Sequence, residues 1–284
     1  MSMRVQFASR TDSARVGQGP GQRDHSEIGK RNDYLFARCK SKPGGNSFVT
    51  VIDHYRDQPD ITAVEALVLP EDASGPYAIQ VSRKGGVDVV VGGTGESVVA
   101  GAIETDARSA VVSRESDGRL AVFMAGATRL KSEEVSVDLS YGLHGGEIAS
   151  CDGSGFVARQ PIADRWGLDG SFVEVEDPEQ GCWTAYAIAS VKGQTVCVDE
   201  FPFNKGTAFR IASVFSMEEQ NPGHFAVQSN ACAEIRLKTR KTRAQWLSRG
   251  RTGHEAKTQR EGEWLIISLD AQALRRKVTV LKVG

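Results

Sequence analysis

The sequence of 284 residues lacks several features that would point to common functional classes. No stretch approaches the roughly 18 consecutive apolar residues of a membrane-spanning helix, so we expect no membrane span. Its five cysteines are an odd number and include no Cys-x-x-Cys pair, which argues against a zinc knuckle or a redox motif. No His, Asp and Glu spacing indicates a metal site, and no cofactor is implied.

Charge of one sign is not in excess either. Lys and Arg number 35 against 36 for Asp and Glu, so the net charge of -1 identifies no partner. Hydrophobic residues make up 40% and charged residues 25%, which is typical of a globular chain with a real core. The glycine cluster Gly92-Gly93-Thr94-Gly95 is followed by neither Lys-Ser/Thr nor a helical pattern, so it predicts a turn and not a phosphate loop.

Long amphipathic helices are also missing, and short β-prone runs take their place. Turn residues recur about every 8–12 positions, which is typical of an all-β sandwich or barrel. Asp117-Gly118 and Lys192-Gly193-Gln194 predict hairpins, and Val87–Val91 predicts a strand buried on both faces. The only helix candidates are the short segments 71–74, 244–248 and 271–275.

We therefore expect two β units. Residues 1–148 are predicted to form an antiparallel β-sandwich domain, and residues 149–284 a smaller C-terminal β domain. The run Cys151-Asp152-Gly153-Ser154-Gly155 is the predicted linker or long turn between them. Within the second unit, residues 231–239 alternate most clearly, with Ala233, Ile235 and Leu237 on one face and charged residues on the other.

Two strings carry a resemblance to a known family. The turn Gly17-Gln18-Gly19-Pro20-Gly21-Gln22-Arg23-Asp24 is followed, after a Pro-Gly-Gly-Asn turn, by the strand Phe48-Val-Thr-Val-Ile-Asp-His-Tyr55. This order resembles the C-terminal β-sheet part of heparinase II/III-like polysaccharide lyases. The resemblance implies β-elimination on polysaccharides that contain uronic acid. It also implies an upstream α-helical toroid domain or subunit, which this sequence has no helices to form.

The resemblance does not supply catalytic residues. In the family a Tyr, an amide and a His come from the helical domain and another His from the early sheet domain, and no position here matches those motifs. We therefore expect a lyase portion that is inactive without the toroid. The alternative is a non-catalytic carbohydrate-binding or structural β-sandwich protein. Family members are secreted or periplasmic, although the first residues, MSMRVQFASRTDS, have no signal-peptide pattern, which fits truncation at least as well as cytoplasmic residence.

Three residues near the matching strings are candidates for substrate contact. Arg23 could bind a carboxylate or sulfate of an acidic sugar, or pair with Asp24 and hold the loop. His25 follows the same turn and could line a saccharide groove or stay in solvent. His54 lies at a strand end, where it and Tyr55 point to opposite faces, and this weakens an acid/base pair built from the two.

Residues 236–260 form a strongly basic segment. Arg240, Lys241 and Arg243 are the candidate contacts, with Trp246 interleaved. Such a segment suits an acidic polysaccharide; the same chemistry would suit nucleic acid, which we do not expect as the partner. The alternative is a solvated loop. Among the tryptophans, Trp264 is predicted to lie in the core, whereas Trp183 is the better candidate for an exposed ring that stacks on sugar.

Overall fold

A computed structural model describes most of the chain, and its secondary structure is almost entirely β. The described residues are 2–9, 11–20, 31–40, 43, 45, 47–70, 75–162, 167–199, 206–247, 254–275 and 280–284. Arg23 and His25 therefore lie outside the described residues, as does the helix candidate 71–74.

The first thirteen strands are β1 Ser2–Phe7, β2 Ser13–Pro20, β3 Arg31–Arg38, β4 Thr50–Tyr55, β5 Ile61–Val68, β6 Tyr77–Arg83, β7 Gly86–Gly92, β8 Val98–Ala100, β9 Ile103–Thr105, β10 Ser109–Glu115, β11 Leu120–Ala125, β12 Arg129–Lys131 and β13 Val135–Leu139. The remaining elements are β14 Leu143–Cys151, β15 Gly155–Ala158, β16 Phe172–Asp177, β17 Cys182–Lys192, β18 Thr195–Val198, β19 Ala208–Ala212, β20 Val214–Asn221, β21 His224–Ser229, β22 Ala233–Lys238, β23 Ala244–Leu247, β24 His254–Glu255, β25 Thr258–Glu261, β26 Trp264–Leu269, α1 Ala271–Arg275 and β27 Val280–Val283.

Two antiparallel sheets enclose the main core, which confirms the predicted all-β sandwich. The first sheet has ten strands in the order β24-β23-β27-β21-β20-β11-β10-β7-β6-β5, and the second has seven in the order β25-β26-β22-β13-β12-β9-β8. One hydrophobic cluster joins them, with Val122 and Met124 from the first sheet and Leu130, Ile235 and Ile267 from the second. Burial of this shared apolar surface holds the two sheets face to face.

A closed barrel of six strands forms a separate unit between β13 and β20. Its strands follow the order β14-β15-β18-β17-β16-β19. Phe156, Val173, Ile188 and Ile211 fill a core of its own, distinct from that of the sandwich. Full closure leaves no unpaired sheet edge within this unit, so it satisfies its own backbone hydrogen bonds.

The expected division between residues 148 and 149 does not separate the sheets. It falls inside β14, and strands from both sides of it pair in both large sheets, since β11 pairs with β20 and β13 with β22. The part of the chain after residue 148 therefore completes the sandwich as well as most of the barrel. The predicted linker at 151–155 is the turn of a hairpin between β14 and β15.

The N-terminal strands stand apart from both large sheets. β1 pairs with β4, and β2 pairs with β3 in a two-stranded hairpin. Val49 lies in a small core with Ile79 and Val81 of β6, which places the β1–β4 pair near the β5–β6 edge of the ten-stranded sheet. The hairpin carries exposed apolar side chains on both faces, including Val16 and Phe36.

Local predictions had mixed outcomes. The two predicted hairpins are present, with Gly118 and Gly193 at φ 88° and 64°, where glycine carries no steric penalty. Residues 271–275 are helical as predicted, but residues 244–247 form a strand because Ala244 and Trp246 are buried alternately and pair with β27. The valine-rich β7 is not buried on both faces, since Val87 is 37% exposed. No helix among the described residues is long and apolar enough to cross a membrane.

Candidate functional site

His54 is exposed on β4 and is separated from its acidic neighbour by the strand alternation. Asp53 is buried on the other face, where its carboxylate accepts hydrogen bonds from Arg4 at 3.1 Å and from the Ile61 amide at 3.4 Å. Arg4 also donates to the Ile61 carbonyl. The pair Arg4–Asp53 therefore ties β1 and β4 to β5. The His54 side chain hydrogen-bonds to no described residue, so none of them serves as its acid/base partner.

The predicted basic residues belong to one short connection between β22 and β23, here called the basic loop (residues 240–243). Its backbone is held from several sides. The Lys241 amide donates to Thr239 Oγ1 at 3.2 Å, Arg260 donates to the Lys241 carbonyl at 2.7 Å, and Arg243 exchanges backbone hydrogen bonds with Gly284 at 3.3 and 3.0 Å. A fixed backbone thus presents the exposed side chains of Arg240, Lys241 and Arg243.

These three cations form no ion pair with any described residue. Several other charges on the same sheet surface are paired, as in Lys238–Glu263 at 3.3 Å and Arg236–Glu234 at 2.7 Å. The basic loop is therefore a local excess of positive charge that no described acidic residue neutralises by an ion pair. It would attract an anionic ligand, and the attraction would weaken as salt is added.

The structure does not bring His54 and the basic loop together. The β1–β4 pair lies near β6 at one edge of the ten-stranded sheet, whereas the loop leads into β23 near the other edge. β6 and β23 are seven strand spacings apart in the ten-stranded sheet, or roughly 34 Å at about 4.8 Å per strand. The two candidates therefore do not form a single site.

Beside the basic loop, the outer face of the seven-stranded sheet contains a concave region of about 580 Å³, here called the outer cleft. It spans β12, β13, β22 and β26. Seven side chains line it: Arg129, Lys131, Ser136, Asp138, Glu234, Arg236 and Trp264. Most are polar and none was predicted as a contact residue from the sequence.

Strand register explains the shape of the outer cleft. Ser136 on β13 lies directly between Lys131 on β12 and Arg236 on β22. Residues directly opposite each other in antiparallel strands project their side chains to the same face. Because serine is short and its neighbours are long, the row forms a depression with Ser136 at its floor.

Ion pairs fix the walls of the outer cleft. Arg129 lies 3.6 Å from Asp138, and Arg236 contacts Glu234 at 2.7 Å and Glu261 at 3.5 Å. The hydrogen bonds that Arg236 donates to Glu234 raise the pKa of Arg236 above its ordinary value, so this guanidinium stays charged. Lys131 forms no ion pair with the described residues and remains available to a ligand.

Trp264 lines the outer cleft, so the prediction that it lies in the core is wrong. On β26 the inward positions are Leu265, Ile267 and Leu269, which are fully or almost fully buried. The strand alternation therefore turns Trp264 outward, opposite Lys238 of β22. The sequence did not show this orientation, because Leu265, Ile266 and Ile267 form a continuous apolar run. That run is continuous because Ile266, which lies on the outer face, is also buried.

Trp183 is less available than expected. It lies on β17 of the barrel, and the guanidinium carbon of Arg210 is 4.2 Å from the centre of its ring. Glu174 holds that guanidinium through a hydrogen bond. The cation therefore covers one face of the indole, which leaves at most the other face for a sugar ring.

A second cleft of about 450 Å³, the edge cleft, adjoins the basic loop at the end of the sandwich. Leu120, Phe225 and Leu237 supply apolar lining, Lys238 and Lys241 supply cations, and two glutamates, Glu134 and Glu219, supply carboxylates. Lys241 thus belongs both to the basic loop and to a concave surface. Among the described residues no group of three or more His, Cys, Asp and Glu side chains is placed to hold a metal ion.

Comparison with known proteins adds no further guidance. No protein-family model matches the sequence, and a search of curated proteins also finds no match. The function is therefore inferred from the motif resemblance and from the geometry of the basic loop and its two clefts.

Proposed function

We propose that the protein is the C-terminal β portion of a heparinase II/III-like polysaccharide lyase and that it holds an acidic polysaccharide at the basic loop. The observation that carries the proposal is the basic loop itself, with three exposed cations on a fixed backbone and no ion pair to described residues. Carboxylate and sulfate groups form short, charge-assisted hydrogen bonds with such side chains.

The loop is continuous with both concave surfaces, which supports binding of an extended chain. The Thr239 amide donates to the Glu263 carbonyl at 3.0 Å, so the loop starts beside Trp264 of the outer cleft. Lys241 at its other side lines the edge cleft. A polymer lying along this end of the sandwich would meet cations and an aromatic ring in succession.

Catalysis in this proposal comes from elsewhere in the enzyme. β-Elimination needs a base that removes the proton beside the carboxylate, an acid that protonates the leaving oxygen, and groups that neutralise the carboxylate. The His54 side chain hydrogen-bonds to none of the residues that the structure describes, and it lies far from the basic loop. The resemblance assigns the missing groups to a helical toroid domain or subunit, in a secreted or periplasmic enzyme.

The second candidate function is a non-catalytic carbohydrate-binding or structural protein with the same sandwich. No described residue forms an acid/base pair with His54, and this observation supports the non-catalytic protein as much as it supports the lyase portion. The ultraviolet absorbance of unsaturated uronic products separates activity from binding. Incubation with alginate, heparin or chondroitin should give binding without an increase in absorbance, and addition of a helical toroid partner should produce the increase only if the lyase proposal is correct.

Removal of the loop charges should weaken polysaccharide binding. We expect the variant R240A/K241A/R243A to bind alginate or heparin at least about tenfold more weakly at low salt, because each lost contact is worth about 1.5–3 kcal/mol when made to a charged group. Affinity should also depend less steeply on salt. Retention on a heparin column and direct titration would measure both effects.

The matched control is R56A/K84A/K192A, which removes the same charge from exposed positions on other parts of the surface. It should retain most of the affinity and the salt dependence of the unmodified protein. Equal losses in the two triple variants would show that binding follows net charge alone, and the basic loop would then have no specific role.

A further inference from the structure

Ser136 has a buried hydroxyl group that finds no hydrogen-bond partner in the described part of the chain. Its exposure is 6%, and its hydroxyl hydrogen-bonds to no described residue. Other buried polar side chains are satisfied: Ser213 bonds with Ala127, and Asn230 with Val214 and Ala212. Buried polar groups are nearly always hydrogen-bonded to protein or water, and because this hydroxyl lines an open cleft it can bond to water or to a bound ligand.

Two cations flank this hydroxyl. Lys131 and Arg236 are the direct cross-strand neighbours of Ser136 on its two sides, so their Cβ atoms lie about 4.5–5.5 Å from its Cβ. Arg236 donates to Glu234 through its Nε and Nη2 atoms, and its Nη1 atom lies 3.5 Å from a Glu261 oxygen, so the guanidinium is held between two carboxylates. An ammonium, a hydroxyl and a guanidinium thus converge in one row, as the binding of a small oxyanion requires.

We propose that the outer cleft is a sugar subsite in which Lys131, Ser136 and Arg236 bind the carboxylate of an acidic sugar and Trp264 stacks on its ring. This inference rests on the proposed function and assigns residues that the motif resemblance does not. Trp264 lies beside Ile266, the residue opposite Arg236, two positions along β26. That offset is about 7 Å along the strand, and the long side chains of Trp264 and Arg236 extend from it into the same cleft.

The acidic walls of the cleft set its preference. Asp138 and Glu234 are held by Arg129 and Arg236, so their oxygens are fixed acceptors for sugar hydroxyl groups. The same carboxylates repel additional anions nearby. The subsite therefore selects a uronate with free hydroxyl groups over a densely sulfated sugar.

Titration calorimetry with an oligomannuronate hexasaccharide tests the subsite, with cellohexaose as the neutral probe and a sulfated hexasaccharide as the third ligand. The Lys131→Met variant should bind oligomannuronate about tenfold more weakly. Ser136→Ala should bind it several-fold more weakly. Its melting temperature should stay unchanged or rise, because the hydroxyl that is removed hydrogen-bonds to no described residue. Lys192→Met, on the barrel, is the matched control and should bind normally.

The possible results distinguish failure of the subsite from failure of the proposed function. If the unmodified protein binds oligomannuronate and both cleft variants bind it equally well, the subsite is wrong and the basic loop remains the contact. Equal affinity for cellohexaose, or an equal loss of affinity for the sulfated ligand in the two cleft variants, would also contradict the uronate assignment. If the unmodified protein binds no acidic saccharide of any length, the subsite and the proposed function fail together.

Discussion

Leu281→Asp is expected to prevent the protein from folding. Leu281 is completely buried in β27, which lies between β21 and β23 in the ten-stranded sheet and places Leu281 opposite Phe225 and Trp246. Loss of a buried leucine typically costs about 2–5 kcal/mol, and an unpaired buried carboxylate adds several more. The sum is comparable to the total stability of about 5–15 kcal/mol expected for a domain.

The adjacent residue provides the control. Lys282 is exposed on the opposite face of β27, so Lys282→Asp places the same carboxylate in water. Circular dichroism and urea denaturation should show a cooperative transition for Lys282→Asp and none for Leu281→Asp. A cooperative transition of unchanged midpoint in Leu281→Asp would mean that β27 is not part of the sandwich core.

Asn230→Ala should lower the free energy of unfolding by about 2–5 kcal/mol. The side chain is 3% exposed, and its oxygen accepts from the Val214 amide at 2.7 Å while its nitrogen donates to the Ala212 carbonyl at 2.9 Å. It also contacts Ser171 Oγ at 3.3 Å. Alanine would leave the partly buried Val214 amide and Ala212 carbonyl without this partner where the barrel and the sandwich meet.

Urea denaturation of Asn230→Ala should be compared with Asn221→Ala, which alters an exposed residue on β20. The exposed substitution should change stability by no more than about 0.5 kcal/mol. If both variants lost the same small amount, the hydrogen bonds of Asn230 would contribute nothing to the junction. Asn230→Asp would retain the acceptor for Val214 but place an oxygen against the Ala212 carbonyl, and should also be destabilised.

Local patterns in the sequence predicted the strands better than they predicted the arrangement of those strands. The alternation of residues 233–238 correctly placed Ile235 and Leu237 inside and Glu234, Arg236 and Lys238 outside. Alternation within one strand depends only on nearby residues, because successive side chains point to opposite faces. The same logic placed Asp53 and His54 on opposite faces, but the partner of Asp53, Arg4, lies 49 residues away in the sequence.

Pairings between distant strands were outside the reach of this reasoning. β13 pairs with β22 across the whole barrel, so Ser136 and Arg236 become neighbours although 100 positions separate their numbers. Neither residue type is unusual alone, and their proximity depends on register, which local propensity does not determine. The sequence therefore pointed to the basic loop, whose three cations lie within four positions of the chain, and missed the outer cleft beside it.

The barrel begins and ends at one point of the sandwich. The Ser213 amide donates to the Gly142 carbonyl at 2.9 Å, so the residues that precede β14 and follow β19 are hydrogen-bonded neighbours. A segment whose two ends meet in this way is topologically a loop of its host, and hosts accept or lose such loops without reordering their strands. The barrel is therefore an inserted domain: a tight turn, or an unrelated module with adjacent termini, could occupy its place between β13 and β20.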